Sequence, residues 1–410
     1  MTTEDPRKEE GIRHHSAHYR TMPRRLASRG IVHHKYLIHQ LGKTLAVSSP
    51  ASKLHLQDFP SATPTSRLLH RYLVLYTDKD VNEQKQQYFQ QGERENGGVE
   101  AMGEGGVLQV LLLSSMPRSG STLVAQLLAT HPESVLFFEP LSSRKKTPCA
   151  RNGSCVGGFL TRLFKCTYDK TFERWLLGND LFLQYFNANT RRCFRRPKEG
   201  GSGCKRGLEL RSTCKISRVR VVKVIRSRLS WLEGLLNDPS LNIKIIHLIR
   251  DPRGSLKSIK KLNWNSKPSF RCGALEDDMR HYDILLKKYP AQVTRLRLEK
   301  LSIEPFSTVS NLYKFLYGNQ SLGKETVQFL KEHTAAPEGS VFPGDNMETR
   351  RNSSREYQAW RWRIPSLLLK ETEGEPACRA VITRLGHALF GSIHNVRNAT
   401  LPLDTTLKQK

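Results

Sequence analysis

The sequence predicts an α/β fold: one P-loop-like domain, a mostly parallel central sheet flanked by helices, behind a polar N-terminal segment. Three observations lead there. Short apolar runs alternate with helix-period segments over roughly 290 residues, as strand–helix units of a parallel sheet require. The first apolar run feeds a small-residue loop and then a helix. The residues before that run lack sustained periodicity.

Residues 1–104 make up the polar segment and linker. Eight of the 14 histidines lie before residue 71, among Ser, Thr, Pro and Arg. The pairs His14-His15 and His33-His34 lack a convincing metal-ligand arrangement, so a solvated, poorly ordered segment is expected. Gln84–Gln91 and Gly97–Gly106 read as linker. No run of about 18 apolar residues and no signal-peptide core occurs. The nearest stretch, Gly30–Val47, is interrupted by His33, His34, Lys35, His39 and Lys43. Either the protein enters the secretory pathway by a route the sequence does not show, or the chain as written lacks its authentic start; the second is expected.

The domain is assigned to residues 105–400, with 401–410 as a tail. Val107–Leu113 is nearly continuous in apolar residues, as a strand buried on both faces must be. A loop, Ser114–Gly120, leads to Ser121–Leu128, whose apolar residues at 123, 124, 127 and 128 share one helix face. Val135–Phe138 is a second strand, ended by Glu139-Pro140. A helix is expected near Phe172–Tyr185. Val219–Ile225 and Ile243–Ile249 read as core strands, and the latter runs into Arg250-Asp-Pro-Arg-Gly-Ser-Leu-Lys-Ser258 and a basic helix. Leu275–Lys288, Val309–Leu316 and Thr326–Glu332 have helical spacing, and Val293–Leu298 reads as a strand.

Charge and cysteines restrict the class. The net charge of +28 predicts polyanionic partners. Residues 144–228 hold 22 Lys and Arg against 5 Asp and Glu. Six of the eight cysteines fall within a basic insertion, 144–218, where few apolar residues are available to fix loops. Disulfides suit such a segment, and an even count allows full pairing in an oxidising compartment; no C-x-x-C spacing suggests zinc or redox chemistry. Sequons at Asn152, Asn319, Asn352 and Asn398 agree with a lumenal or secreted domain. Free thiols in a cytosolic protein are the alternative.

The loop before the first helix is the primary site candidate. Helix N-terminal amides and the helix dipole attract an anion. Gly120 permits close backbone approach, Ser119, Ser121 and Thr122 offer hydroxyls, and Arg118 offers charge. No Walker A lysine is present. Arg250 ends an apolar strand, where ligands of open α/β sheets collect. Ser258 follows within a helix if Pro252 opens it. Together Arg250 and Ser258 suit a second phosphate.

The residues now carry a resemblance. Pro117-Arg-Ser-Gly-Ser-Thr-Leu123 resembles the 5′-phosphosulfate loop of the Golgi carbohydrate sulfotransferases, and Ile246–Ser258 resembles their 3′-phosphate segment. His131-Pro132, Phe137–Leu141, Leu235–Asn242, Cys272, Arg297-Leu-Glu-Lys-Leu301, Trp360–Arg363 and Cys378 follow in the family's order, so the resemblance spans about residues 107–390. It looks like the branch that sulfates the 6-hydroxyl of galactose, N-acetylglucosamine or N-acetylgalactosamine. The family usually has Arg-Tyr-Glu-Asp-Leu where this chain has Arg297-Leu-Glu-Lys-Leu301, and its membrane anchor is missing from this chain as written.

The resemblance implies a sulfotransferase domain using 3′-phosphoadenosine 5′-phosphosulfate as co-substrate, with no metal required. Pro117, Arg118, Ser119, Gly120, Ser121 and Thr122 would bind the donor at its 5′ side. Arg250, Asp251, Pro252, Arg253 and Ser258 would bind at its 3′ side. Arg118 is a catalytic candidate and Glu139 the candidate general base; a structural ion pair is the other reading of Glu139. His131 and His247 read as structural. The implied acceptor is a glycan or glycosaminoglycan, an anionic one suiting the basic insertion, and the implied location is the Golgi lumen. A P-loop kinase would need the absent lysine and a clear Walker B strand. Nucleic acid is not expected as a partner, because no aromatic-basic motif, finger spacing or heptad-linked basic region occurs.

Overall fold

The structure, a computed structural model, describes residues 106–196, 200–337 and 348–405. The polar segment 1–104 and the end of the tail lie outside the described residues. Five strands form one parallel sheet: β1 (Leu108–Leu113), β2 (Ser134–Phe138), β3 (Val219–Val224), β4 (Asn242–Ile249) and β5 (Val293–Arg297), in the order β2-β3-β1-β4-β5. Every residue of β1 is buried, so the uninterrupted apolar run is the pattern its central place demands.

The helices of eight or more residues are α1 (Ser121–Leu128), α2 (Gly153–Phe164), α3 (Lys170–Leu177), α4 (Pro252–Lys261), α5 (Pro268–Lys288), α6 (Pro305–Tyr317), α7 (Lys324–Thr334), α8 (Ser366–Gly374) and α9 (Pro376–Arg384). Strand side chains alternate between the two faces of the sheet. Leu111, Leu113, Phe137 and Val222 pack with α2 and α3 on one face. Val110, Leu112, Leu136 and Val221 pack with α1, α6 and α7 on the other. A third cluster joins α4, α5, α8 and α9 around Trp360 and Phe390.

The basic insertion differs from expectation. It is not a loop held only by disulfides; it supplies a helical layer with its own aromatic core. Val156, Phe159, Leu160 and Leu163 recur at helical spacing along α2 and are fully buried. Phe172 of α3 packs against Phe137, Phe159, Tyr168 and Trp175. The predicted helix over Phe172–Tyr185 is instead split: α3 ends at Leu177, and a short helix, Asp180–Leu183, follows Gly178-Asn179. All eight cysteines pair, as Cys149–Cys155, Cys166–Cys214, Cys193–Cys204 and Cys272–Cys378.

The tail also belongs to the domain as far as Thr405. Leu403 is buried, the Ala388 amide donates to its carbonyl at 2.9 Å, and the Thr405 amide donates to Gly386 at 2.8 Å. No described helix is long and apolar enough to cross a membrane.

Phe172→Ala should cost about 3–5 kcal/mol of unfolding free energy in urea titration, because it empties the centre of this aromatic layer. A loss within experimental error would return the insertion to the status of a loose loop.

Candidate active site

Parallel pairing brings the two candidate phosphate-binding segments to the same sheet edge. Leu113 at the end of β1 pairs with His247, and β4 runs on to Ile249. The loop 114–120 and the segment beginning at Arg250 therefore leave neighbouring strand ends. They are then tied directly: Arg250 Nη1 donates to the Arg118 carbonyl at 2.9 Å, and Arg118 Nε donates to Ser258 Oγ at 3.1 Å.

The loop is shaped for close approach. Ser119 Oγ donates to the Met116 carbonyl at 2.7 Å and lies 3.5 Å from Ser255 Oγ, so Ser119 is buried as a brace. Arg118 and Gly120 both have left-handed backbone, φ 69° and 83°. Such a φ is uncommon outside glycine and strains the chain at Arg118. A Cβ on Gly120 would stand 2.5 Å from Leu298 Cδ1. Gly120 is the N-cap of α1 and makes no side-chain cap bond, which leaves the first-turn amides to a ligand or solvent. Thr122 is half-buried, while Ser121 and Pro117 are buried.

Positive charge is concentrated here. Burial, then Arg351, lowers the Arg118 guanidinium from its usual range. Burial does the same to Arg250, with Arg351 and Arg118 adding to it against the opposing pull of Glu299. Arg250 Nε is buried without a hydrogen-bond partner. A bound phosphate would supply that partner and relieve the mutual repulsion, so the residues fit a phosphorylated donor.

The 3′-side assignment divides. Pro252 does open α4, and Ser258 faces Arg118. Asp251 and Arg253 are turned inward instead: both side chains are fully buried and paired at 2.7 Å. Arg253 also binds Glu373 at 2.6 Å and the Ala388 carbonyl at 2.8 Å, while Asp251 receives His387 Nδ1 at 3.0 Å. Burial would raise the Asp251 carboxyl, but Arg253 and His387 hold it far below the usual carboxylate range. Asp251 and Arg253 thus brace the segment and present no side-chain atom to a donor. Trp360 lies beneath this turn; a Cβ on Gly254 would come within 2.8 Å of its ring.

Glu139 follows β2 with φ 48°. Its carboxylate is paired with Lys223, and Arg226 Nη1 donates to Oε2 at 2.6 Å. Burial alone would raise its pKa; the charges of Lys223 and Arg226 reverse the shift and keep it ionised. Its negative charge also bears on Arg118, so the candidate base and the donor loop share one electrostatic neighbourhood. The two histidines are placed differently. His131 follows the far end of α1, and its Nδ1 accepts the Glu133 amide at 3.3 Å. His247 is wholly buried against Ser115 Oγ at 2.9 Å, and burial, then Arg295, pushes its pKa well below the usual histidine range.

Three contributors escaped sequence reasoning. Lys223 is buried at the end of β3, with its ammonium 4.1 Å from the centre of the Phe138 ring. Nothing in an apolar strand marks one lysine as the partner of a distant glutamate. Glu299 accepts the Asp251 amide at 2.8 Å and so fixes the start of the 3′ segment. Its membership of the Arg297–Leu301 segment was the available signal. Of the two departures within that segment, Leu298 is buried and Lys300 is exposed. Arg351 is exposed and acts on both site arginines through charge. Among the described residues, no group of three or more His, Cys, Asp or Glu could hold a metal ion.

Comparison with known proteins agrees with the sequence resemblance. No protein-family model matches the chain. Human carbohydrate sulfotransferase 5 is 25% identical over 341 residues, covering 72% of this chain and 81% of its own length. Human carbohydrate sulfotransferase 6 is 27% identical, covering 72% and 85%. Zebrafish (Danio rerio) carbohydrate sulfotransferase 1 is 23% identical, covering 72% and 81%. Among solved structures, the sulfotransferase domain of the Synechococcus olefin synthase covers 67% of this chain and 95% of its own, at 16% identity and a TM-score of 0.38. A similarity that low adds no weight to the assignment. The chain is thus similar to curated carbohydrate sulfotransferases across most of their own length, which supports a sulfotransferase enzyme.

Proposed function

We propose that the protein transfers a sulfuryl group from 3′-phosphoadenosine 5′-phosphosulfate to a 6-hydroxyl of galactose, N-acetylglucosamine or N-acetylgalactosamine in a glycan. The observation that carries this reading is the direct tie between Arg250 and the Arg118 carbonyl. It ties the two candidate anion-binding segments together, which supports a single donor carrying phosphate at both ends. The names of the curated relatives support a carbohydrate acceptor.

In this reading the acceptor oxygen attacks sulfur while the bond from sulfur to the 5′-phosphate oxygen breaks, and negative charge builds on that oxygen. Arg118 and the first-turn amides of α1 meet this charge. Preorganised donors of this kind contribute about 3–4 kcal/mol each. Arg250 and Ser258 hold the 3′-phosphate. Glu139 takes the proton of the acceptor hydroxyl. Lys223 and Arg226 each engage one of its oxygens, and the acceptor hydroxyl would donate to a remaining lone pair. Lys223, buried among Glu139, Arg226 and Arg118, adds positive charge on the acceptor side of the loop. The second reading of Glu139, as the anchor of Lys223, rests on the same ion pairs. A Golgi lumenal setting accords with the four disulfides.

Arg118→Ala should lower turnover with labelled sulfate donor about 10²–10³-fold; near-normal turnover removes Arg118 from catalysis. Glu139→Gln should abolish transfer yet bind adenosine 3′,5′-bisphosphate as the parent does. If that variant loses bisphosphate binding as well, Glu139 is an anchor and not the base. Gly120→Ala should weaken bisphosphate binding at least about tenfold, or about 1.4 kcal/mol, because its Cβ meets Leu298 and its φ is unfavourable. Unchanged affinity would place the donor away from this loop.

A further inference from the structure

The run Trp360-Arg-Trp-Arg363 alternates aromatic and basic residues, a pattern that suits a surface, yet Trp360 is 3% and Arg361 2% exposed. Arg361 shows what draws the run inward. Its Nε donates to the Val396 carbonyl at 2.8 Å, and its Nη2 donates to the carbonyls of Asn398 and Leu401 at 2.7 and 2.9 Å. One guanidinium fork thus fastens the short helix Trp360–Arg363 to the C-terminal residues. Trp360 is also held from the side of α4. The Arg253 guanidinium lies 4.9 Å from the centre of its ring, and Arg253 is itself locked between Asp251 and Glu373. Anchored in this way, the indole offers a fixed edge.

That edge meets the turn next to Arg250. Gly254, the third residue of α4, is buried. A Cβ built on it would stand 2.8 Å from Trp360 Cδ1, 3.1 Å from Arg250 Nη2 and 3.2 Å from Arg250 Nε. Gly254 has no positive φ, and helical backbone favours alanine over glycine, so the glycine is there for space. Indole edge, helix backbone and guanidinium converge where a side chain is missing.

Arg250 depends on this packing. Among the described residues the Arg118 carbonyl is its one hydrogen-bond partner, and its Nε is buried without any. An arginine side chain has many rotamers to lose. Close packing across Gly254 against the Trp360 edge restricts it to the one that reaches the Arg118 carbonyl.

We infer that Trp360 and Gly254, with Arg361 behind them, are positioning residues for Arg250: they seat its guanidinium where the 3′-phosphate is read, and so set how strongly the site prefers a 3′-phosphorylated nucleotide. The inference rests on the donor reading above and deepens it, because the C-terminal part of the chain then supplies the seat. A Cβ at position 254 must displace either the indole or the guanidinium. The indole is packed within a buried cluster, whereas the guanidinium is the end of a flexible side chain, so the guanidinium yields. It then leaves the Arg118 carbonyl and the 3′-phosphate position together.

The test is calorimetric titration of the full chain with adenosine 3′,5′-bisphosphate and adenosine 5′-monophosphate, with the thermal midpoint measured alongside. Gly254→Ala should lower bisphosphate affinity about tenfold. Its monophosphate affinity and thermal midpoint should stay near the parent's, since alanine is the better helix former. Trp360→Leu keeps a buried apolar side chain but removes the flat indole edge; it should lower the midpoint and also shift the preference towards the monophosphate. Gly273→Ala in α5 is the control, because its added Cβ meets nothing within 4 Å, and it should bind both nucleotides as the parent does. A purely structural tryptophan would lower the midpoint without moving the preference. Parent-like preference for the bisphosphate in both Gly254→Ala and Trp360→Leu overturns the seat, as does an equal loss in Gly273→Ala. A parent that binds the two nucleotides equally would overturn the donor reading itself, a result distinguished by appearing before any variant is compared.

Discussion

The parallel pairing of β1 with β4 is the constraint on which the site depends. Because Leu113 and His247 are in register, two chain segments more than a hundred residues apart emerge side by side from one sheet edge. Sheet hydrogen bonds and the apolar packing of Val110, Leu112, Ile246 and Leu248 fix that relation far more rigidly than loop contacts alone would. The bond from Arg250 to the Arg118 carbonyl then needs only a short reach. Charge is held in place before any donor arrives, which is what preorganised stabilisation requires.

Behind the site lies a second tier that carries load without touching a ligand. Arg253 sits between Asp251 and Glu373, with Trp360 and Phe390 against its guanidinium. Glu373 also accepts the amides of Phe390 and Gly391, and His387 connects Asp251 to Arg297. Removing one member of so buried a network leaves an uncompensated charge and costs far more than the network contributes over an apolar core. Its value is positional. It couples the C-terminal residues to the turn that begins α4, and Glu299 holds the same turn from the other side.

Much of this was legible from residues alone. Apolar-rich runs marked β1 to β4 to within about one residue, because buried strands tolerate little else, whereas β5 is an edge strand that carries Thr294, Arg295 and Arg297 and was less plainly marked. The small-residue loop and the Arg250 segment were legible as candidates because an anion site would restrict residue type locally. The insertion was misjudged because its basic residues are dense and Gly153–Gly158 looks like loop, although Val156, Phe159, Leu160 and Leu163 keep helical spacing. Asp251 and Arg253 look like ligands in sequence, and only tertiary packing shows them facing inward. Lys223 and Glu299 were missed for the same reason: their partners are distant in the chain, and no local pattern encodes a buried long-range pair.

The central claim is that Arg250 and the α1 loop bind the two ends of one donor. Calorimetric affinities of adenosine 3′,5′-bisphosphate and adenosine 5′-monophosphate, measured on the parent and on Arg250→Ala, test it most directly. The account predicts that the parent prefers the bisphosphate by at least about 2 kcal/mol, in keeping with a charge-assisted bond. The substitution should erase most of that preference while leaving monophosphate affinity nearly unchanged. Equal affinity of the parent for both nucleotides, or a preference that survives the loss of Arg250, would contradict it.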